Sequence, residues 1–220
     1  MRPSLWKKLL SYVHEFEIES TQSEVNESLH VTLRNGRYVL NTPNAVYSYE
    51  DLYSNFFKAF QHIAIEKQEI KTVLVLGLGL GSIPFMLEKR FACEFDYTAV
   101  EIDEDVIYLA DKYALSDLKS YVEVVCTDAC IFVEVCEDKY DLICIDVFVD
   151  DKIPEDFLHP EFLESCKELL TDKGLIMFNH LALTAKDIKL AEDYYKTVFK
   201  SVFPEGRYLD TTGNWILMNK

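Results

Sequence analysis

Between residues 71 and 103 the chain runs Lys71-Thr72-Val73-Leu74-Val75-Leu76-Gly77-Leu78-Gly79-Leu80-Gly81-Ser82 and then, about twenty residues on, Val100-Glu101-Ile102-Asp103. The first half is a short apolar run rich in β-branched residues, suited to a strand covered on both faces, and it ends in three glycines at alternate positions. Glycine lets the backbone turn sharply and lets a ligand approach the main chain, while the helix that follows presents free N–H groups. The second half is a strand ending in a carboxylate, placed to accept hydrogen bonds from a ribose diol. A strand, Gly-x-Gly and helix also occurs as plain α/β packing, so the later strand ends carry weight. Tyr121 to Ala129 puts Asp128 at the end of a third apolar strand, and Tyr140 to Asp146 puts Asp146 at the end of a fourth. Ligands of open α/β sheets sit outside the carboxyl ends of the strands, so Gly, Glu, Asp and Asp at four successive ends describe one crevice.

At 220 residues and 49% hydrophobic content the chain supports one substantial core with a small appended unit. No apolar run approaches the roughly 20 residues of a membrane span. The segment Met1 to Leu10 has basic residues but neither a continuous apolar core nor a cleavage site, which argues against a secretory signal, and a cytoplasmic location is expected. A formal charge of −16 argues against nucleic-acid binding, which depends on Lys and Arg neutralising phosphates. The same charge attracts a cationic small substrate, or is simply solvated helix surface. The six cysteines form no C-x-x-C pair and read as small buried hydrophobes in a reducing compartment. The five histidines have no metal-ligand spacing, and no metal is expected.

Along the chain, residues 1–48 read as an N-terminal β-hairpin unit, with Asn35-Gly36 as the turn between Leu29 to Leu33 and Tyr38 to Leu40. Residues 49–220 read as one nucleotide-type domain. It opens with a helix over 49–66, with Ser48 as cap and Asp51 in the capping-box position. Strands at 72–76, 94–101, 121–126, 140–146 and 174–179 then alternate with helices at 82–91, 104–114, 128–136, 160–170 and 185–202. Such alternation implies parallel pairing with helices on both faces. Two last strands, 207–210 and 214–219, form an antiparallel hairpin. The expected class is α/β, a Rossmann-like seven-stranded sheet of the class I S-adenosylmethionine-dependent methyltransferase kind.

A dinucleotide site would show Gly-x-Gly-x-x-Gly, whereas here the pattern is Gly-x-Gly-x-Gly with Ser82 in the third place. A nicotinamide dehydrogenase would also leave Asp128 and Asp146 without a role. The run Gly77 to Ser82, Val100 to Ile107, Thr127-Asp128-Ala129, Tyr140 to Asp146, and the loop from Asp146 to Leu158 leading into Pro160-Glu161-Phe162-Leu163 together resemble successive motifs of spermidine synthases and related polyamine aminopropyltransferases, a family of S-adenosylmethionine-dependent transferases. The resemblance covers most of residues 29–180.

That resemblance implies roles for named residues. Gly77, Gly79 and Gly81 would line the amino-acid or aminopropyl arm of S-adenosylmethionine or its decarboxylated form. Glu101 would bind the ribose hydroxyls with Ile102 against the adenine, Asp128 would accept the adenine amino group, and Ala129 would offer a backbone N–H. Asp146 would face the sulfonium and the nucleophile. The alternative structural roles are helix caps for Glu101 and Asp128 and a loop-fixing hydrogen bond for Asp146. The family's aminopropyltransferases carry an acid in the glycine loop where this chain has Leu80, a second Asp three residues after the first where it has Val149, and a C-terminal Tyr-Pro-Ser-Gly segment that is absent. The expected activity is therefore methyl transfer to a small, amine-containing acceptor. Aminopropyl transfer and a catalytically silent nucleoside-binding relative are the alternatives. Asp146 is the expected base, with Asp150 assisting catalysis and Asp151 facing substrate from a mobile lid over 147–158. Tyr47, Tyr49 and Tyr53 would wall a cationic acceptor, or merely pack the hairpin on the sheet. A homodimer is left open.

Overall fold

A computed structural model describes residues 3–220. The N-terminal part is a four-stranded antiparallel sheet, β1 (Phe16–Thr21), β2 (Leu29–Arg34), β3 (Arg37–Asn41) and β4 (Val46–Ser48), in the order β1-β2-β3-β4. Asn35 (φ 52°) and Gly36 (φ 74°) form the expected hairpin turn, both left-handed, and the unit is twice the size of the single hairpin read from the sequence. A short helix, α1 (Leu5–Leu10), precedes it. It rests on β2 and β3 through Ser11, whose Oγ accepts from Gly36 N at 2.8 Å. Leu5, Trp6, Leu9 and Leu10 are left exposed.

The main sheet has seven strands: β5 (Thr72–Leu76), β6 (Asp96–Glu101), β7 (Val122–Cys126), β8 (Tyr140–Ile145), β9 (Leu170–Ala182), β10 (Arg207–Asp210) and β11 (Gly213–Met218), in the order β10-β11-β9-β8-β5-β6-β7. β5 to β9 pair in parallel, while β11 pairs antiparallel with both β9 and β10. The chain leaves β5 toward β6 on one side and later returns to place β8 on the other. The order therefore reverses between β5 and β8, where such sheets bind ligands.

Period-two alternation assigns the side chains. Leu74, Leu76, Ile143 and Ile145 enter one core, under the helices α5 (Ala129–Val135), α6 (Pro160–Glu168) and α7 (Ala185–Tyr194). Val73, Val75, Leu142 and Cys144 enter the other, under α2 (Ser54–His62) and α3 (Ser82–Phe91). A third cluster joins the small sheet to the large domain: Leu29, Val31, Leu33 and Leu40 pack on Val106, Leu109 and Tyr113 of α4 (Glu104–Tyr113) and on Leu80.

The helix expected over 49–66 is broken into a 3₁₀ turn (Glu50–Leu52), α2, and a second 3₁₀ turn (Ile65–Lys67). Its expected cap residues are used elsewhere. Ser48 Oγ bonds to Ser82 Oγ at 2.7 Å, and Asp51 binds Arg37 Nε at 2.9 Å and Arg90 at 3.3 Å. Buried ion pairing outweighs a cap worth about 1 kcal/mol. The helix over 185–202 is interrupted by a π-helical stretch, Tyr195–Phe199. Of the cysteines, only Cys144 and Cys166 are buried, and Cys126 is exposed.

His180 on β9 is 5% exposed, stacked on Tyr194 at 4.5 Å and beside Phe178 at 4.3 Å, and its Nε2 has no hydrogen-bond partner among the described residues. Burial pushes its pKa down to about 3. A base with a depressed folded-state pKa stabilises the fold above the unfolded value near 6.5, and that contribution is lost as pH falls toward 3. Between pH 7.5 and 5 this group alone should remove about 2 kcal/mol. Urea unfolding of His180→Phe is expected to show that loss abolished, so that the variant gains on the parent by this amount at pH 5. Parallel stability profiles for the two proteins would show that His180 is not the titrating group.

Candidate functional site

Read across the sheet, the crevice is a row of strand ends: Asp128 after β7, Glu101 closing β6, Gly77 after β5, Asp146 after β8, Asn179 in β9 and Asn214 in β11. Neighbouring strands lie about 4.8 Å apart, so Glu101 and Asp146 are separated by two spacings, roughly 10 Å. All six line one cavity of about 810 Å³, within the range of small-molecule sites. Its wall also includes Gly79, Ile102, Ala129, Tyr47, Tyr49, Tyr53, Asp150 and Asp151.

Gly77 holds φ at +86° because the chain must leave β5 directly beneath the start of the loop after β8; a Cβ there would overlap the backbone carbonyl of Asp146. Gly79 (φ +53°) lies under Ser48 and the carbonyl of Tyr47, so β4 sits directly on the glycine loop. Gly81 (φ +81°) is not in the cavity wall. It turns the chain into α3, and a Cβ there would meet Leu115. Of the three expected cofactor glycines, the structure brings two to the cavity and gives the third to the fold.

The Glu101 carboxylate accepts four backbone N–H bonds: Leu78 at 3.1 Å and Gly79 at 3.4 Å on Oε2, Ile102 at 3.0 Å and Asp103 at 3.2 Å on Oε1. A carboxylate has about four acceptor positions, so Glu101 ties the glycine loop to the end of β6. Burial raises its pKa and these donors oppose the rise. The same carboxylate lines the cavity. Ile102, 49% exposed, offers an apolar face beside it. Asp128 caps α5, its Oδ1 accepting from Cys130 N at 2.7 Å and Ile131 N at 3.3 Å, so the cap and the cavity wall are one residue.

Asp146 Oδ1 accepts from Asn179 Nδ2 at 2.8 Å and from Tyr53 O–H at 3.3 Å. Asn179 Oδ1 in turn accepts from Asn214 Nδ2 at 2.9 Å. Burial pushes the Asp146 pKa up to about 6, with Asn179 and Tyr53 holding it back. Such a carboxylate is ionised at neutral pH and can take the proton that an amine nucleophile loses as its nitrogen is alkylated. Sequence reasoning missed the two asparagines. Asn179 closes the strand read at 174–179, in the same strand-end register that drew attention to Asp146.

Asp150, expected to assist catalysis, lies in the cavity wall. Its carboxylate accepts from Thr42 Oγ1 at 2.7 Å, from Asn44 N at 3.0 Å and from Asn44 Nδ2, and these side-chain donors lower its pKa. Asp150 N donates to the Tyr47 hydroxyl, and Tyr47 O–H donates to Asn26 Oδ1 at 2.9 Å. Asn26 Nδ2 donates to Asp103 at 2.7 Å. Tyr47 therefore spans the roof of the cleft instead of simply presenting its ring. The 147–158 segment, expected to lack restraints, is held by these bonds, by the Val149–Lys152 bridge and by buried Phe157. Asp151 is exposed at the cavity wall. The Tyr49 ring lies under the Arg34 guanidinium at 4.6 Å. Among the described residues no cluster of His, Cys, Asp or Glu is placed to hold a metal, and no helix is long and apolar enough to cross a membrane.

Residues 54–218 match the spermine/spermidine synthase domain. A polyamine aminopropyltransferase of Vibrio vulnificus is 32% identical over 60% of this chain and 44% of its own length. An eEF1A lysine and N-terminal methyltransferase homolog of Drosophila melanogaster is also 32% identical, over 61% of this chain and 20% of its own length. The chain thus spans less than half of either relative. Among solved structures, spermidine synthase from Thermotoga maritima superposes with a TM-score of 0.70 at 20% identity, covering 92% of this chain and 72% of that one. Human methyltransferase-like protein 13 in complex with SAH superposes with a TM-score of 0.61 at 24% identity, covering 74% and 81%. These likenesses show a shared fold built on the seven-stranded Rossmann-like sheet.

Proposed function

The chain belongs to the spermine/spermidine synthase family, and from that premise we propose that it transfers a methyl group from S-adenosylmethionine to a small amine held against Asp146. The observation that carries the choice of donor is Leu80. It stands where the family's aminopropyltransferases place an acid for the donor's amine, it is 1% exposed, and it packs with Leu40, Val106 and Leu109, so that position offers an amine nothing. Relatives named as aminopropyltransferases and as methyltransferases both match, which is consistent with a cleft serving either donor.

The residues present fit the nucleoside: a carboxylate at the ribose position, an exposed apolar face beside it, and a glycine turn open to the tail. When bound, the cofactor supplies an electrophilic carbon on sulfur. The protein's part is to hold the amine in line, exclude water and take its proton at an Asp146 carboxylate oxygen. Glu101, Asp128, Asp146, Asp151, Asp156 and Asp187 in the wall favour a cationic acceptor. The same acids favour decarboxylated S-adenosylmethionine, so aminopropyl transfer is the second reading. Titration calorimetry separates the two. S-adenosylmethionine is expected to bind at least as tightly as its decarboxylated form. A tenfold preference for the latter, about 1.4 kcal/mol, would restore the polyamine reading. Turnover with neither donor, across a panel of small amines, would leave a nucleoside-binding protein without catalysis.

A further inference from the structure

Arg34 is the one cationic side chain in a cavity wall that carries seven carboxylates, among the described residues. Arg37 and Arg90 are committed to Asp51, and Lys112 to Glu19. Among the described residues Arg34 pairs only with Glu15, at 3.6 Å and with both side chains about a third exposed, an ion pair too long for a hydrogen bond and worth little in water. What fixes its head group is the Tyr49 ring, 4.6 Å below. Stacking on a ring leaves the edge N–H fork of a guanidinium free for a planar anion.

Its position relative to the donor follows from β4. Ser48 and the Tyr47 carbonyl lie 3.2 Å from where a Gly79 Cβ would sit, and Tyr49 N donates to Ser82 Oγ at 2.9 Å at the start of α3. Tyr49 is therefore the residue immediately beyond the contact between β4 and the glycine loop, and Arg34 stacks on its ring. A nucleoside lying from Asp128 to Glu101 carries its amino-acid tail across Gly77 and Gly79 toward that corner. For a carboxylate entering this cavity, Arg34 is the one opposite charge among the described wall residues.

We propose that Arg34 forms the subsite for the carboxylate of the donor's amino-acid tail, and so selects S-adenosylmethionine over its decarboxylated form. The inference rests on the donor reading above and adds the residue that enforces it. S-adenosylhomocysteine, which keeps the carboxylate, and 5′-methylthioadenosine, which lacks the whole tail, serve as probes. Arg34→Gln is expected to weaken S-adenosylhomocysteine at least tenfold while changing 5′-methylthioadenosine less than twofold, with the melting temperature of the free protein unchanged. Arg34→Lys, which keeps the charge but not the fork, should fall between. Equal weakening of both probes would assign Arg34 to holding Tyr49 in place, and unchanged affinity for both would remove it from the site; either result overturns the subsite alone. If the parent protein binds 5′-methylthioadenosine but not S-adenosylhomocysteine, the donor reading and the subsite fall together.

Discussion

Gly77→Ala is expected to destabilise the fold by about 2–5 kcal/mol and to abolish nucleoside binding in what remains folded. Two independent penalties act at this position. The backbone sits at φ +86°, where a Cβ costs about 1–2 kcal/mol, and the added methyl would overlap the main-chain carbonyl of Asp146. That carbonyl cannot yield easily, because Asp146 N is bonded to Leu76 O at 2.8 Å and β8 is buried between β5 and β9. Overpacking of this kind costs typically another 1–3 kcal/mol, and here any relief displaces Asp146 as well. Gly79→Ala provides the contrast. Its φ of +53° is within reach of an L residue, and its nearest neighbours are at 3.2 Å, so a loss of only about 1–2 kcal/mol is expected. Urea unfolding of both variants checks the order. A Gly77→Ala protein within 1 kcal/mol of the parent would show that β5 and β8 do not converge as tightly as this geometry requires.

The same convergence explains what could be read before the structure. A strand end is a local signal. An apolar run stops, and the next residue is Gly, Glu or Asp, so Gly77, Glu101, Asp128 and Asp146 were visible one at a time and the parallel order placed them side by side. The N-terminal turn at Asn35-Gly36 was legible for the same reason, since a two-residue left-handed turn is written in two residues.

What was not legible depends on partners far along the chain. Ser48 and Asp51 make a plausible helix start when only their neighbours are considered, but Ser82 lies 34 residues from Ser48 and Arg90 lies 39 from Asp51. Asp150 reads as a free acid on a loop, yet its partner Thr42 is 108 residues away. Asn179 and Tyr53, 126 residues apart, become the two ends of one hydrogen-bonded group only because β9 lies next to β8 and α2 packs across them. Arg34 belongs to a strand of the small sheet and enters the cavity only because β4 lies on the glycine loop. Each of these is a tertiary contact overriding or completing a local preference.

Asp146→Asn should act on activity and stability in opposite directions. The amide is nearly isosteric, and its oxygen can still accept from Asn179 and Tyr53, so cofactor affinity should change less than about threefold. The proton acceptor is lost, and kcat should fall by about 10²–10⁴. In the parent protein, activity should rise with pH through a midpoint near 6, where burial has placed this carboxyl, and the variant's residual activity should lack that limb. The same shift sets the stability effect. A carboxyl whose folded pKa is raised above its unfolded value near 3.8 imposes no penalty below pH 3.8 and its full penalty above 6. The Asn variant should therefore be more stable than the parent at pH 7.5, on the order of 1–3 kcal/mol, with the gap closing as the pH falls below 4. A structural Asp fixed by its two donors would lose stability on amidation and leave the rate unaffected. Stability gained together with activity lost is what an ionised carboxylate held in a buried cleft for chemistry requires. An active Asp146→Asn protein, or one destabilised at every pH, would remove Asp146 from the proton-transfer step.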